Sequence, residues 1–369
     1  MTEHKRNFKG VFLAAAAAAL FGVSTPIAKL LEIEIAPIML ASLFYLGTGA
    51  GFTLLSLYSA LTKKQTKNLH LRRSDLPALL VVVSAGGIFA PVCLMLGLSQ
   101  SSATTASLLL NLEGVLTALI AWLYFRENCD RKIVLGMLAI TAGGAILSFN
   151  PTAVAAAANA KNFANISGHL LIALACLGWA IDNNFTRQIA AADAKQIAMI
   201  KGLVAGSVNL GLALLLGQAL PKLEILAAAL FIGFICYGLS LVLYVVALRE
   251  LGSARTSAYF ATAPFLGALL SLVIFHEPVT LPLALAALLM SAGVYLHLTE
   301  RHEHVHYHEP LKHTHEHIHD LHHCHEHEAG DEPLRKKDGS ELPHTHKHQH
   351  EALSHSHIHY PDLHHRHLH

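Results

Sequence analysis

Few ionisable side chains interrupt the apolar stretches of this 369-residue chain, and those that do are the first candidates for chemistry. Glu113 lies about eleven residues from either end of the apolar run 102–125, with Asn111 two residues before it and Thr117 one turn after it. A charge in hydrocarbon costs several kcal/mol unless it faces a cavity or a partner. A carboxylate so placed suits proton coupling or cation binding; the alternative is a structural carboxyl held by a neighbouring helix. Asp182, Asn183 and Asn184, with Arg187 one turn on, form a second polar cluster that spans two faces of a helix. Substrate contact and helix-to-helix hydrogen bonding are both open for it. Lys29 and Lys201 fall within helix ends, where a lysine either snorkels to the interface or serves a substrate or gate. Glu127 and Glu277 close two apolar runs and read as interfacial capping or loop contacts, and His169 and His276 as lone interfacial polar residues.

A different chemistry fills the C-terminal 71 residues, which hold 23 of the 28 histidines. The His-x-His blocks are His302, His304, His306 and His308; His313, His315, His317 and His319; His344, His346, His348 and His350; and His355, His357 and His359. A denser run contains His322, His323, Cys324, His325 and His327. Imidazole ligates Zn, Ni, Co and Cu ions, and nearby Asp or Glu can complete the shell. In an extended chain, residues two apart share a side, so each block offers a cluster of nitrogens. None of the blocks has the closed Cys/His spacing of a structural zinc fold. The tail is expected to bind divalent transition metals at exchangeable sites; a proton-responsive segment that charges near pH ~6.5 and a merely solvated extension are the alternatives. With almost no apolar surface to bury, it is expected to be disordered without ligand.

The rest of the chain must position the first set. Only 14% of all residues are charged against 53% hydrophobic, too few charges to cover a water-soluble globule of this length. The tail takes 7 of the 26 Lys/Arg and 13 of the 25 Asp/Glu, so the body up to residue 298 carries +7 and the tail −6. The body's cations sit singly or in small groups, which argues against nucleic-acid binding. Ten apolar stretches, near 10–31, 36–60, 76–97, 102–125, 132–149, 167–187, 197–216, 225–247, 254–275 and 279–298, approach the ~20 residues that span a bilayer as helix. The fold class expected is all-α, a ten-helix integral membrane bundle with a disordered C-terminal tail. The first run could instead be a signal peptide, given Lys5, Arg6 and Lys9 before it. With the N-terminus in the cytoplasm, inner segments carry 15 cations against Lys161 and Lys222 outside. Ten crossings then place the N-terminus and the tail of this cell-membrane protein on the cytoplasmic side. The five cysteines form no CxxC pair and imply no disulfide framework.

The body repeats itself. Residues 112–127, LEGVLTALIAWLYFRE, align with 262–277, TAPFLGALLSLVIFHE, and Phe21-Gly22 and Lys29 align with Trp179-Ala180 and Arg187. Two five-helix units follow, 1–150 and 151–298, ahead of the tail 299–369. Five is odd, so the units enter the membrane in opposite senses, an arrangement that places a site between them. Glu113-Gly114 and the closing Glu127, followed by Gly136, Gly143 and Gly144, resemble the EamA-type drug/metabolite transporter superfamily (DMT), as do Pro264, Glu277 and Gly293 in the second copy. The resemblance covers nearly all of 10–298 and implies that helices one to four and six to nine line a cavity, with five and ten at the periphery. It also implies a small cargo: a metabolite, an amino acid, a nucleotide sugar or a drug-like compound. Gly114 stands where that family often has proline, which leaves a kink in the fourth helix an open question, whereas Pro264 keeps the usual residue in the ninth. Gly47 and Gly51, and Gly202 and Gly206, have the four-residue spacing of close helix packing.

A secondary transporter of a small metabolite or metal-linked solute, working by alternating access, is the leading functional expectation. The alternatives are a membrane-anchored metal-buffering or metal-sensing protein without transport, and an exporter of Ni, Co or Zn ions. No GxSxG or phosphate-loop motif is present, so no enzyme is expected. The membrane domain requires no cofactor; the partners are the bilayer, a small-molecule substrate and divalent metal ions, and a homodimer is compatible with the sequence.

Overall fold

A computed structural model of the chain describes residues 3–62, 71–125, 131–148, 160–189, 192–251, 256, 259–298, 302–308, 312–317, 344–349 and 353–359. Among these, ten helices form one unit and four strands another, Arg301–Tyr360. The helices are α1 (Glu3–Leu31), α2 (Pro37–Leu61), α3 (Arg73–Ser99), α4 (Ala103–Leu123), α5 (Arg131–Ser148), α6 (Ala160–Ile189), α7 (Ala194–Leu215), α8 (Leu223–Leu251), α9 (Ala263–Phe275) and α10 (Leu281–Leu298). Seven of them, α1 to α5, α7 and α8, are long and apolar enough to cross a membrane; α9 and α10 are shorter apolar helices. In lipid the backbone has no partner but itself, which keeps such sequences helical despite their Gly and Pro content. Local signals set several ends: Pro37 opens α2, and Asp193 caps α7 by accepting from the Lys195 amide at 3.0 Å.

Packing follows the two-unit plan. Along their length α1 packs on α8 and α9 of the second half, and α6 packs on α3 and α4 of the first. α2 crosses α7, and α5 packs on α10. Each of these contacts is either its own mate or has one when the halves are exchanged, as a twofold relation requires. The α2–α7 crossing is close because glycines meet backbone there. A Cβ on Gly202 would lie 2.7 Å from the Tyr45 carbonyl oxygen, and one on Gly206 2.7 Å from the Leu46 amide nitrogen. Gly47 and Gly51 turn instead to Leu230 and Phe234 of α8. The four-residue glycine spacings thus serve packing, as expected. α5 and α10 meet through Gly143 against Met290 and Gly293 against the Gly136 carbonyl.

Two departures from plain α-helix recur at matching places. α3 contains a π turn at Val82–Phe89 and α8 another at Gly233–Leu239. α4 is split into Ala103–Leu109 and Leu112–Leu123, joined by a tight turn with Leu110 and Asn111 amides bonded to Ser107 and Leu108 oxygens. The ninth span has the same turn at Thr262, one residue before α9. The fourth helix therefore breaks without a proline, at the position matching the one where Pro264 enters the first turn of α9.

In the C-terminal region the described residues form β1 (His302–His308), β2 (Lys312–His317), β3 (His344–Gln349) and β4 (Leu353–His359). β1 pairs antiparallel with β4, and β2 with β3. The two-residue period of the His-x-His blocks is the period of a strand, which is why these stretches can extend and pair. His319, His322, His323, Cys324, His325, His327 and His350 lie outside the described residues, as does Glu127.

Candidate functional site between the two halves

Glu113 occupies the first turn after the break in α4, where the exposed amides of a new helix favour a carboxylate. Its Oε1 accepts a hydrogen bond from Asn183 Nδ2 of α6 at 2.7 Å. A side chain of one half is thus held by a side chain of the other, and Glu113 is turned toward protein rather than lipid. It remains partly accessible. Its neighbour Gly114 is exposed, with open space where a Cβ would stand.

One residue before Asn183, Asp182 is buried and forms an ion pair with Lys201 of α7. Its other oxygen, Oδ1, accepts from Thr186 Oγ1 at 2.9 Å. The pair lies within electrostatic reach of Glu113. Lys201 is 7% exposed, so it does not snorkel to the interface; the sequence offered that reading because its partner lies on another helix. Room for the pair comes from Gly86 in the π turn of α3, where a Cβ would collide with the Asp182 carboxylate. That π turn also frees carbonyls. Gly86 O accepts from Tyr45 Oη at 2.6 Å and from Trp179 Nε1 at 3.1 Å, and Gly87 O accepts from Asn209 Nδ2 at 3.2 Å.

The remaining candidates divide. Asn111 Nδ2 donates to Leu108 O at 3.0 Å and so supports the break itself. Asn184 donates to Thr117 O at 3.2 Å and Ala180 O at 2.9 Å, which ties α6 to α4. Thr117 Oγ1 is buried without a hydrogen-bond partner among the described residues. Arg187 is exposed in the last turn of α6. Lys29, in the last turn of α1, donates to Leu98 O at 2.5 Å and lies 3.5 Å from Glu32 Oε2. These contacts of Lys29 lie outside the central group. Glu277 Oε1 accepts from the Ala103 amide at 3.1 Å, the capping contact expected of it, and links α9 to the start of α4.

Sequence reasoning missed an aromatic cluster. Phe21 of α1 meets Trp179 of α6 at 5.9 Å, Tyr237 of α8 at 5.8 Å and Phe260 at 5.4 Å between ring centroids. Tyr237 in turn meets Phe44 at 5.3 Å and Tyr45 at 5.7 Å. The internal repeat held one signal, since Phe21 and Trp179 align in it. The other members come from different helices and share no spacing.

A helix break thus recurs in each half, and at the first of them a side-chain hydrogen bond joins the halves. The EamA-like transporter model matches residues 8–149 and again 166–299. The chain belongs to the EamA-like transporter family. It is accordingly a multi-pass integral membrane protein of a transporter family rather than an enzyme family. A protein described as an uncharacterized transporter of Methanothermobacter thermautotrophicus is 26% identical over 303 residues, covering 79% of this chain and 87% of that protein. A solved crystal structure aligns with a TM-score of 0.57 at 19% identity, over 78% of this chain and 94% of that one, and shares the fold. Among the described residues of the helical unit, no group of three or more His, Cys, Asp or Glu is placed to hold a metal ion.

Proposed function

We propose that this EamA-family protein carries a small organic solute by alternating access, with Glu113 as the group whose protonation or cation binding is coupled to the movement. The observation that carries this reading is the Glu113–Asn183 hydrogen bond, made between halves at a helix break. Discontinuous helices put unsatisfied backbone groups beside a midplane site, where a substrate or coupling ion can use them. The Asp182–Lys201 pair, Thr117 and the Tyr45–Trp179 wall lie around the same point and are assigned to substrate contact or to holding it in shape. An organic cargo is favoured over a metal ion because the central group has two carboxylates, amides and aromatic rings, with no imidazole among the described residues.

The basic body places the N-terminus and the histidine tail in the cytoplasm, and the tail takes up divalent Zn, Ni, Co or Cu. The test is reconstitution into liposomes and a screen of metabolites and divalent metals, with and without a pH gradient. The reading expects flux of an organic solute that Glu113→Gln abolishes. Flux of none, or equal flux through the variant, overturns it.

The histidine-rich tail favours a second reading, a membrane-anchored metal reservoir. A chain ended after Leu298 separates the two, since a carrier keeps its flux and a reservoir loses its whole function.

A further inference from the structure

The tail blocks repeat at a spacing of two, but the pairing of the strands adds something the blocks do not contain. In the outer ribbon the register sets His302 opposite His359, His304 opposite His357 and His306 opposite His355. In the inner ribbon His313 stands opposite His348, His315 opposite His346 and His317 opposite His344. Histidine meets histidine at six rungs, and in each ribbon those rungs fall at alternate positions and therefore on one face. The intervening rungs, such as Glu303 with Ile358 and Thr314 with Lys347, hold none. A slip of one residue would set every one of these histidines opposite a different residue type and lose all six rungs.

The geometry of such a face suits a borderline-soft divalent cation. Opposite residues of an antiparallel pair have Cα atoms about 4.5–5.5 Å apart, and successive rungs on a face lie about 7 Å apart. A rung sets two histidines at opposed backbone positions, and two imidazole ligands leave a tetrahedral ion to be completed by water, a carboxylate or the next rung. Short ribbons of this kind are marginal alone in water. Metal binding that occurs only in the paired state stabilises that state. The nesting helps, because closing β2 on β3 shortens the free chain between β1 and β4, and closure cost rises only slowly with length.

Resting on the reading that the tail takes up metal, we propose that its metal sites are these cross-strand histidine rungs, so that segments distant in sequence make each site together and the metal folds the tail. A single His-x-His block is then half a site. Mutational coupling separates the two pictures, since groups that share one site do not add.

The full-length chain in detergent is titrated with Zn2+, and separately with Ni2+, against a competing chromophoric chelator. One variant removes the β1 rungs (His302→Asn, His304→Asn, His306→Asn), another the β4 rungs (His355→Asn, His357→Asn, His359→Asn), and a third both. A fourth combines the β1 set with the β3 set (His344→Asn, His346→Asn, His348→Asn). The expected result is that the β1 and β4 sets each lose the same metal equivalents, that both together lose no more, and that the β1 and β3 sets add. Additive losses for β1 and β4, or no loss from any set, overturn the rungs while leaving a metal-binding tail. Uptake by the full chain no greater than by a chain ended after Leu298 overturns the tail reading itself.

Discussion

Lys201 and Asp182 show how a residue's meaning depends on what its own helix does not contain. Each alone is a charge in an apolar stretch; together they form a buried pair. Removing one partner of such a pair typically costs about 3–5 kcal/mol because the other charge is left uncompensated. Lys201→Met is therefore expected to lower the unfolding temperature in micelles sharply, and Asp182→Asn with Lys201→Met to recover most of the loss. Glu32 makes a separate case at the end of α1. Burial pushes its carboxyl up to about 7, with Lys29 opposing the rise, and neither of its oxygens has a hydrogen-bond partner among the described residues. The folded state then holds the proton more tightly than the unfolded chain. Stability from this group is present below pH ~4.5 and is lost as pH rises to about 7. Glu32→Gln should flatten that part of a stability-against-pH curve measured by thermal unfolding; an unchanged slope would assign it to other groups.

At the scale of elements, the close α2–α7 crossing rests on hydrogen atoms where other residues carry carbon. Gly202→Val puts a side chain against Gly49 and the Tyr45 carbonyl, and overpacking of this kind typically costs about 1–3 kcal/mol. Gly211, in the same helix, has open space where a Cβ would stand, so Gly211→Ala should be neutral or stabilising in the same unfolding assay. The spacing of Gly202 and Gly206 made that packing legible in the sequence. The repeat at an offset of 150 likewise announced two matched units, and Glu113 stood out as a carboxylate in an apolar run. The π turns and the break before Leu112 were not legible. A π turn is set by what packs around it, here Tyr45, Trp179 and Asn209 collecting the carbonyls of Gly86 and Gly87. The break in α4 occurs without proline, so the one residue that would have marked it is missing. The Asn183 partner of Glu113 lies 70 residues away, beyond the reach of any local pattern.

The molecule as a whole joins a membrane carrier to a histidine-rich extension, and the two are separable by experiment. A chain ended after Leu298 should keep its flux in liposomes and lose the metal uptake proposed for the tail. Within the membrane unit, the contacts of α1 with α8 and α9 and of α6 with α3 and α4 mirror each other, which fits the proposed rocking of one half on the other about the α2–α7 crossing. In the proposed mechanism Glu113 is the acidic group at the site between the halves, and its bond to Asn183 joins the two halves. The most direct measurement is uphill accumulation of the transported solute in liposomes under an imposed pH gradient, made with the natural chain and with Glu113→Gln after both are shown to bind that solute. Accumulation by the natural chain and its loss in the variant is the predicted result; accumulation to the same level in both would contradict it.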